Sequence, residues 1–183
     1  LSFSKGKFMV VSPDEGAIGR AVYFASILGV PLGTFYKRRD YTTVVNGRNP
    51  IIAHEFLGDS VEGMDILIVD DMISSGDSMI DIAKAMKDRG ARKVFCAVSF
   101  VLFTEGIDHF NKAYEEGIIN KVFATNLIYR RPELLEAPWY ADVNLCKFVA
   151  LLIDAINHDA SLRSLINPTE KIKRLLKEKE GIG

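Results

Sequence analysis

Short apolar runs alternate along the chain with stretches whose apolar positions recur at helical spacing. The runs at 8–11, 31–36, 51–57, 65–69, 93–101 and 121–125 read as strands, and 139–143 reads as a last one. The DILIV run at 65–69 is the clearest: short and rich in β-branched residues, as a strand buried on both faces should be. Ile18, Ala21, Val22, Ala25 and Leu28 mark a helix over 17–28, which Gly29 ends as a C-cap glycine. Met79, Ile82, Ala83 and Met86 form one stripe of a helix over 75–89, closed by Gly90. A weaker helix is expected over 107–117, a long one over 144–157 and a charged helical tail over 171–180. The segment 37–49, KRRDYTTVVNGRN, has few apolar anchors and an Asn-Gly turn signal, and reads as an exposed loop or hairpin.

Strands and helices alternating at this spacing predict an α/β fold, a mostly parallel sheet flanked by helices on both faces. One domain over 1–170 and a charged tail over 171–183 account for the 183 residues. In such sheets ligands sit at the carboxyl ends of strands, near the switch point of the strand order. The loops to inspect therefore follow Val11, Tyr36 and Val69.

Composition narrows the function. The 23 basic and 24 acidic side chains nearly cancel, which gives no reason to expect nucleic acid or an anionic membrane as partner. No apolar run approaches the ~20 residues of a membrane span. Leu1 to Lys7 are mixed polar and carry no secretory signal, so a cytoplasmic protein is expected. Cys96, in an apolar run, and Cys146, in a helical pattern, read as packed thiols of a reducing compartment. His54, His109 and His158 are scattered and no CxxC or HExxH signature occurs, so zinc is not expected. Trp139, Tyr140, Phe103, Phe110 and Phe123 read as core aromatics, and Arg130-Arg131 as a solvated turn, with an oligomer interface as the alternative.

The segment after DILIV carries the chemistry: Asp70-Asp71-Met72-Ile73-Ser74-Ser75-Gly76-Asp77-Ser78. A loop entering a helix presents unpaired N–H groups to an anion, and the helix dipole favours negative charge there. Gly76 permits close backbone approach, and Ser74, Ser75 and Ser78 add hydroxyl donors. Asp70 and Asp71 suit vicinal sugar hydroxyls or a divalent cation. An ordinary capped helix would also use Ser and Asp here. Two neighbouring acids repel each other, however, which favours a polar ligand or cation nearby.

This loop resembles the binding signature for 5-phosphoribosyl 1-diphosphate (PRPP) shared by type I phosphoribosyltransferases and PRPP synthetases. The resemblance to the synthetases is wider. Val10-Val11-Ser12-Pro13-Asp14-Glu15-Gly16-Ala17 is similar to their diphosphate-binding loop, and Tyr36-Lys37-Arg38-Arg39 to the root of their catalytic flexible loop. Residues 58–63, 84–94 and 155–165 also look like the synthetase C-terminal half. The resemblance implies transfer of the β,γ-diphosphoryl group of ATP to ribose 5-phosphate with Mg²⁺, giving AMP and PRPP. It implies that Asp70 and Asp71 hold the ribose hydroxyls and that Ser74, Ser75, Gly76, Asp77 and Ser78 cradle the 5-phosphate. Asp14 would help bind the cation, Asp14, Glu15, Gly16 and Ala17 would form the diphosphate loop, and Lys37 and Arg39 would stabilise the transferring phosphates.

Some positions depart from the synthetase pattern. Ser74 stands where Asp is usual and Asp77 where Gly is usual, and a carboxylate beside a phosphate is repulsive unless it turns away. Glu15-Gly16-Ala17 is bulkier and more acidic than the usual turn, and Phe100 stands near a usual His. The start at Leu1 is read as the loss of an N-terminal synthetase domain, which the resemblance makes a required partner alongside further copies in a homo-oligomer. A stand-alone phosphoribosyltransferase, or a non-catalytic synthetase-associated regulator, are the alternatives.

Overall fold

The structure of the chain, a computed structural model, describes residues 5–39 and 51–180. After a 3-10 turn come β1 (Phe8–Ser12), α1 (Ile18–Leu28), β2 (Leu32–Arg39), β3 (Ile51–Leu57), β4 (Asp65–Ile73), α2 (Asp77–Asp88) and β5 (Lys93–Val101). Then follow α3 (Asp108–Glu115), β6 (Lys121–Thr125), α4 (Pro132–Glu136), β7 (Tyr140–Val143), α5 (Cys146–Asn157), α6 (Arg163–Ile166) and α7 (Thr169–Glu180). The strands make one seven-stranded sheet in the order β3-β2-β1-β4-β5-β6-β7. Among the described residues only the β2/β3 pair is antiparallel. The α/β sheet expected from the alternation is therefore present.

Both faces are covered, as the buried β1 and β4 runs require. On one face Val10 and Val69 pack with Ala21 and Ala25 of α1. On the other, Ile66, Ile68, Val94 and Cys96 pack with Met79, Ile82, Ala83 and Met86 of α2, the stripe read from the sequence. Trp139, Phe103 and Phe110 stack there with ring centroids 5.0–5.7 Å apart, and the Trp139 indole N–H donates to Asn111 Oδ1 at 2.8 Å. Phe123 is half-buried.

Strand order reverses at β1. The chain passes from β1 to β2 on one side, then returns to place β4 on the other. The carboxyl ends of β1 and β4 are thus neighbours at the switch point, with α1 and α2 leaving to opposite faces. At the other end of β4, buried Asp65 accepts from Arg92 Nε and Nη2 at 2.8 and 2.7 Å, a fork that fixes the strand's start.

Three expectations need correction. β4 does not stop at Val69 but continues through Ile73, because Met72 and Ile73 keep parallel register with Phe100 and Val101 of β5. Of the segment read as an exposed loop or hairpin, Lys37, Arg38 and Arg39 belong to β2 and pair antiparallel with β3, as the hairpin reading has it; residues 40–50 lie outside the described part. Arg130 is not a solvated turn residue: it is paired with Asp142 of β7, and its side chain is only 22% exposed. Cys146 is exposed, not packed: α5 carries Lys147, Asp154 and Asn157 on one side and buries only Ala155. α7 begins at Thr169 and lies against α1. No helix among the described residues is long and apolar enough to cross a membrane.

Candidate functional site at the switch point

β1 ends in Ser12, which is fully buried and donates through Oγ to the Asp14 carbonyl at 2.7 Å. That bond turns the chain so that Asp14 Oδ1 accepts from the Ala17 amide at 3.1 Å, at the entrance to α1. Asp14 also lines a cavity of about 210 Å³ between this turn and the end of β4. Glu15 and Gly16 are exposed, Ala17 is buried, and none of the three reaches that cavity wall.

Asp70 and Asp71 sit on β4 itself, with carboxylates close enough to act on each other. Asp70 is half-buried and lines the cavity; Asp71 is exposed and does not. Each carboxylate accepts from the next residue's amide at 2.8 Å. Arg20 of α1 spans both, with Nη1 3.4 Å from Asp70 Oδ1 and Nη2 3.7 Å from Asp71 Oδ2. Burial holds the Asp70 carboxyl above the usual carboxylate range, and the charges of Asp71 and Asp14 push the same way.

The turn from β4 into α2 supplies the remaining wall: Ser74, Ser75, Gly76 and Ser78, over Met72, Ile73 and Met79. Gly76 has φ 104°, and a Cβ there would overlap the Phe110 ring, so position 76 is restricted to glycine twice over. No side chain caps α2. The hydroxyls of Ser74 and Ser78 have no hydrogen-bond partner among the described residues. Asp77 faces elsewhere. Its Oδ2 accepts from Ser75 Oγ at 3.2 Å, its Oδ1 lies 3.4 Å from His109 Nδ1, and it lines a separate groove of about 270 Å³ between α2 and α3.

The structure thus gathers Asp14, Asp70, Ser74, Ser75, Gly76 and Ser78 around one cavity. It leaves Asp71, Asp77, Glu15, Gly16 and Ala17 off its wall. Lys37 and Arg39 lie on β2 in register with His54 and Ile51 of β3, and their side chains are outside the described part. Sequence reasoning missed Arg20, although a signal existed: it is the only charged residue in the α1 sequence IGRAVYFASIL. An uncapped helix start with free hydroxyls beside two carboxylates can bind an anion at one end and hydroxyls or a hydrated cation at the other.

The chain is similar to several known proteins. The ribose-phosphate pyrophosphokinase of Pyrococcus furiosus is 36% identical over 121 residues, 66% of this chain and 41% of that protein. The enzyme of the same name from Vibrio cholerae is 31% identical over 160 residues, covering 87% of this chain and 48% of its own length. The Mycoplasma pneumoniae one is 37% identical over 125 residues, 68% of this chain and 36% of that protein. The chain therefore spans about half the length, or less, of the curated relatives it matches. The crystal structure of phosphoribosylpyrophosphate synthetase from Mycobacterium smegmatis shares the fold, with a TM-score of 0.69 at 22% identity over 84% of this chain and 46% of that one. Residues 2–125 match the phosphoribosyl transferase domain, and the chain belongs to that family.

Proposed function

We propose that the chain is the C-terminal, ribose 5-phosphate-binding half of a ribose-phosphate pyrophosphokinase, acting with an N-terminal domain in a cytoplasmic homo-oligomer. The observation that carries this reading is the meeting of Asp14, Asp70 and the uncapped start of α2 on one cavity. The first amides of α2 and the Ser74, Ser75 and Ser78 hydroxyls would receive the 5-phosphate. Asp70 would accept a ribose hydroxyl, with Arg20 steering the carboxylate. Asp71 would join it only after a change of side-chain rotamer.

The carboxylates also fit a magnesium ion. Asp14 and Asp70 line the same space and repel each other, and this metal keeps most of its waters while using one or two carboxylates plus substrate phosphate. Bound there, it would supply charge neutralisation to the phosphates. In the reaction the anomeric oxygen of ribose 5-phosphate attacks the β-phosphorus of ATP. The new O–P bond forms as the Pα–O–Pβ bridge breaks on the β side, AMP leaves, and the anomeric proton is released. Lys37 and Arg39 would stabilise the transferring oxygens, Lys as a point charge and Arg as a planar fork.

Calorimetry of the chain with ribose 5-phosphate and Mg²⁺ tests the binding half of the reading, and saturable heat at millimolar sugar phosphate is expected. The polypeptide of the relatives' length that contains this chain should convert ATP and ribose 5-phosphate to AMP and PRPP. Nucleotide formed by the chain from PRPP and a free base would instead make it a stand-alone phosphoribosyltransferase.

A further inference from the structure

Asp77 is the residue least suited to a phosphate cradle. It is the first residue of α2, where a carboxylate competes with an incoming anion for the same amides and the same dipole. Its neighbours Ser75, Gly76 and Ser78 line the cavity, yet Asp77 lies on the other side, in the α2–α3 groove. Both of its oxygens are engaged there, Oδ2 by the Ser75 hydroxyl at 3.2 Å and Oδ1 with the His109 ring 3.4 Å away.

We propose that His109 is a positioning residue for this cradle: it holds the Asp77 carboxylate in the groove and leaves the start of α2 open to the 5-phosphate. The inference rests on the ribose 5-phosphate reading above. The other charges lining the groove are Asp81 and Lys84 from α2, and Lys112 and Glu116 from α3, two of each sign. Lys112 is paired with Glu116 at 3.9 Å. Of the two groups that engage Asp77, the Ser75 hydroxyl belongs to the cavity wall, and the His109 ring is the one that lies in the groove. His109 and Asp77 are 59% and 58% exposed, and an exposed pair of this kind adds little stability, so removing it should leave the fold intact.

The test is a double-substitution cycle in the full 183-residue chain, titrated calorimetrically with ribose 5-phosphate and Mg²⁺. His109→Ala should weaken binding by about two- to fivefold, the size of a freed charge at a helix start. His109→Lys should restore it. Asp77→Asn should bind at least as tightly as the wild type, and adding His109→Ala to it should change nothing. Melting temperatures should stay together across the set. The inference is overturned if His109→Ala binds like a wild type that itself binds well, or if its loss persists in the Asp77→Asn background. A wild-type chain that binds no ribose 5-phosphate removes the cradle reading and this inference with it.

Discussion

Two strand-to-helix turns stand side by side at the switch point, and they solve the same problem in opposite ways. Where β1 passes into α1, the chain satisfies itself: Ser12 ties the Asp14 carbonyl, and the Asp14 carboxylate takes the Ala17 amide. Where β4 passes into α2, no side chain caps the helix, and Ser74 and Ser78 keep unengaged hydroxyls among the described residues. The first turn ends in a negative charge, the second in donors without acceptors. On the proposed reading, the second turn would take the anionic end of the ligand, and the first turn, with Asp70 beside it, the cation. The difference also means that damage to the two turns should be read by different measurements.

The largest effect is expected at Gly76. Alanine there meets the Phe110 ring at a positive φ, so Gly76→Ala should lower stability by about 3 kcal/mol and abolish ribose 5-phosphate binding. Denaturant midpoints and calorimetry check both; a stable variant that still binds would break the comparison. Next comes Asp70→Ala, which should weaken ribose 5-phosphate binding by about 2 kcal/mol, the value of a hydrogen bond to a charged group. Asp71→Ala should cost clearly less, because Asp71 is off the cavity wall.

Asp70 also sets a pH dependence. Its carboxyl is held above its unfolded value, chiefly by burial, so the folded state binds this proton more tightly than the unfolded chain does. Its stabilising contribution is full below the unfolded value and is lost as pH rises through the folded one. Asp70→Asn should therefore raise the melting temperature at neutral pH, with the gain shrinking as pH falls through the carboxylate range. Asp14→Ala should cost about 1 kcal/mol of stability by freeing the Ala17 amide, while ribose 5-phosphate binding without Mg²⁺ stays near wild type. The smallest effect is expected for Ser78→Ala, about twofold to threefold weaker ribose 5-phosphate binding with unchanged stability, as for a neutral hydroxyl. If Asp14→Ala lost sugar phosphate and Ser78→Ala lost stability, the division of labour would be reversed.

Much of this architecture was legible in the chain because its local signals agree. The strands at 93–101 and 121–125 appear at the residues where β-branched and apolar positions place them. The loops after β1 and β4 were also found, since the alternation predicts parallel strands and the parallel rule points to their carboxyl ends. The end of β4 was not found. Two adjacent acids look like the start of a loop, yet β5 pairs on beside them, and that pairing is made by residues far away in sequence. It bears on the chemistry, because Asp70 lines the cavity and Asp71 does not. Arg20 was visible as a lone charge in an apolar helix, but its meaning needed the distance to Asp70. His109 beside Asp77 gave no local sign, since α3 meets α2 only after folding. Cys146 was misjudged because an apolar helical pattern does not say what covers its apolar side, and α5 buries only Ala155.

The two thiols lead to a practical consequence. Cys96 is sealed between the helical layers with no accessible surface, and burial pushes its thiol up to about 12. Cys146 lies open on α5, touched through Sγ by the Asn126 amide. An alkylating reagent should therefore modify one site at once and the other only when the sheet comes apart. The native chain carries its own clock for global opening, already calibrated by a fast internal reference.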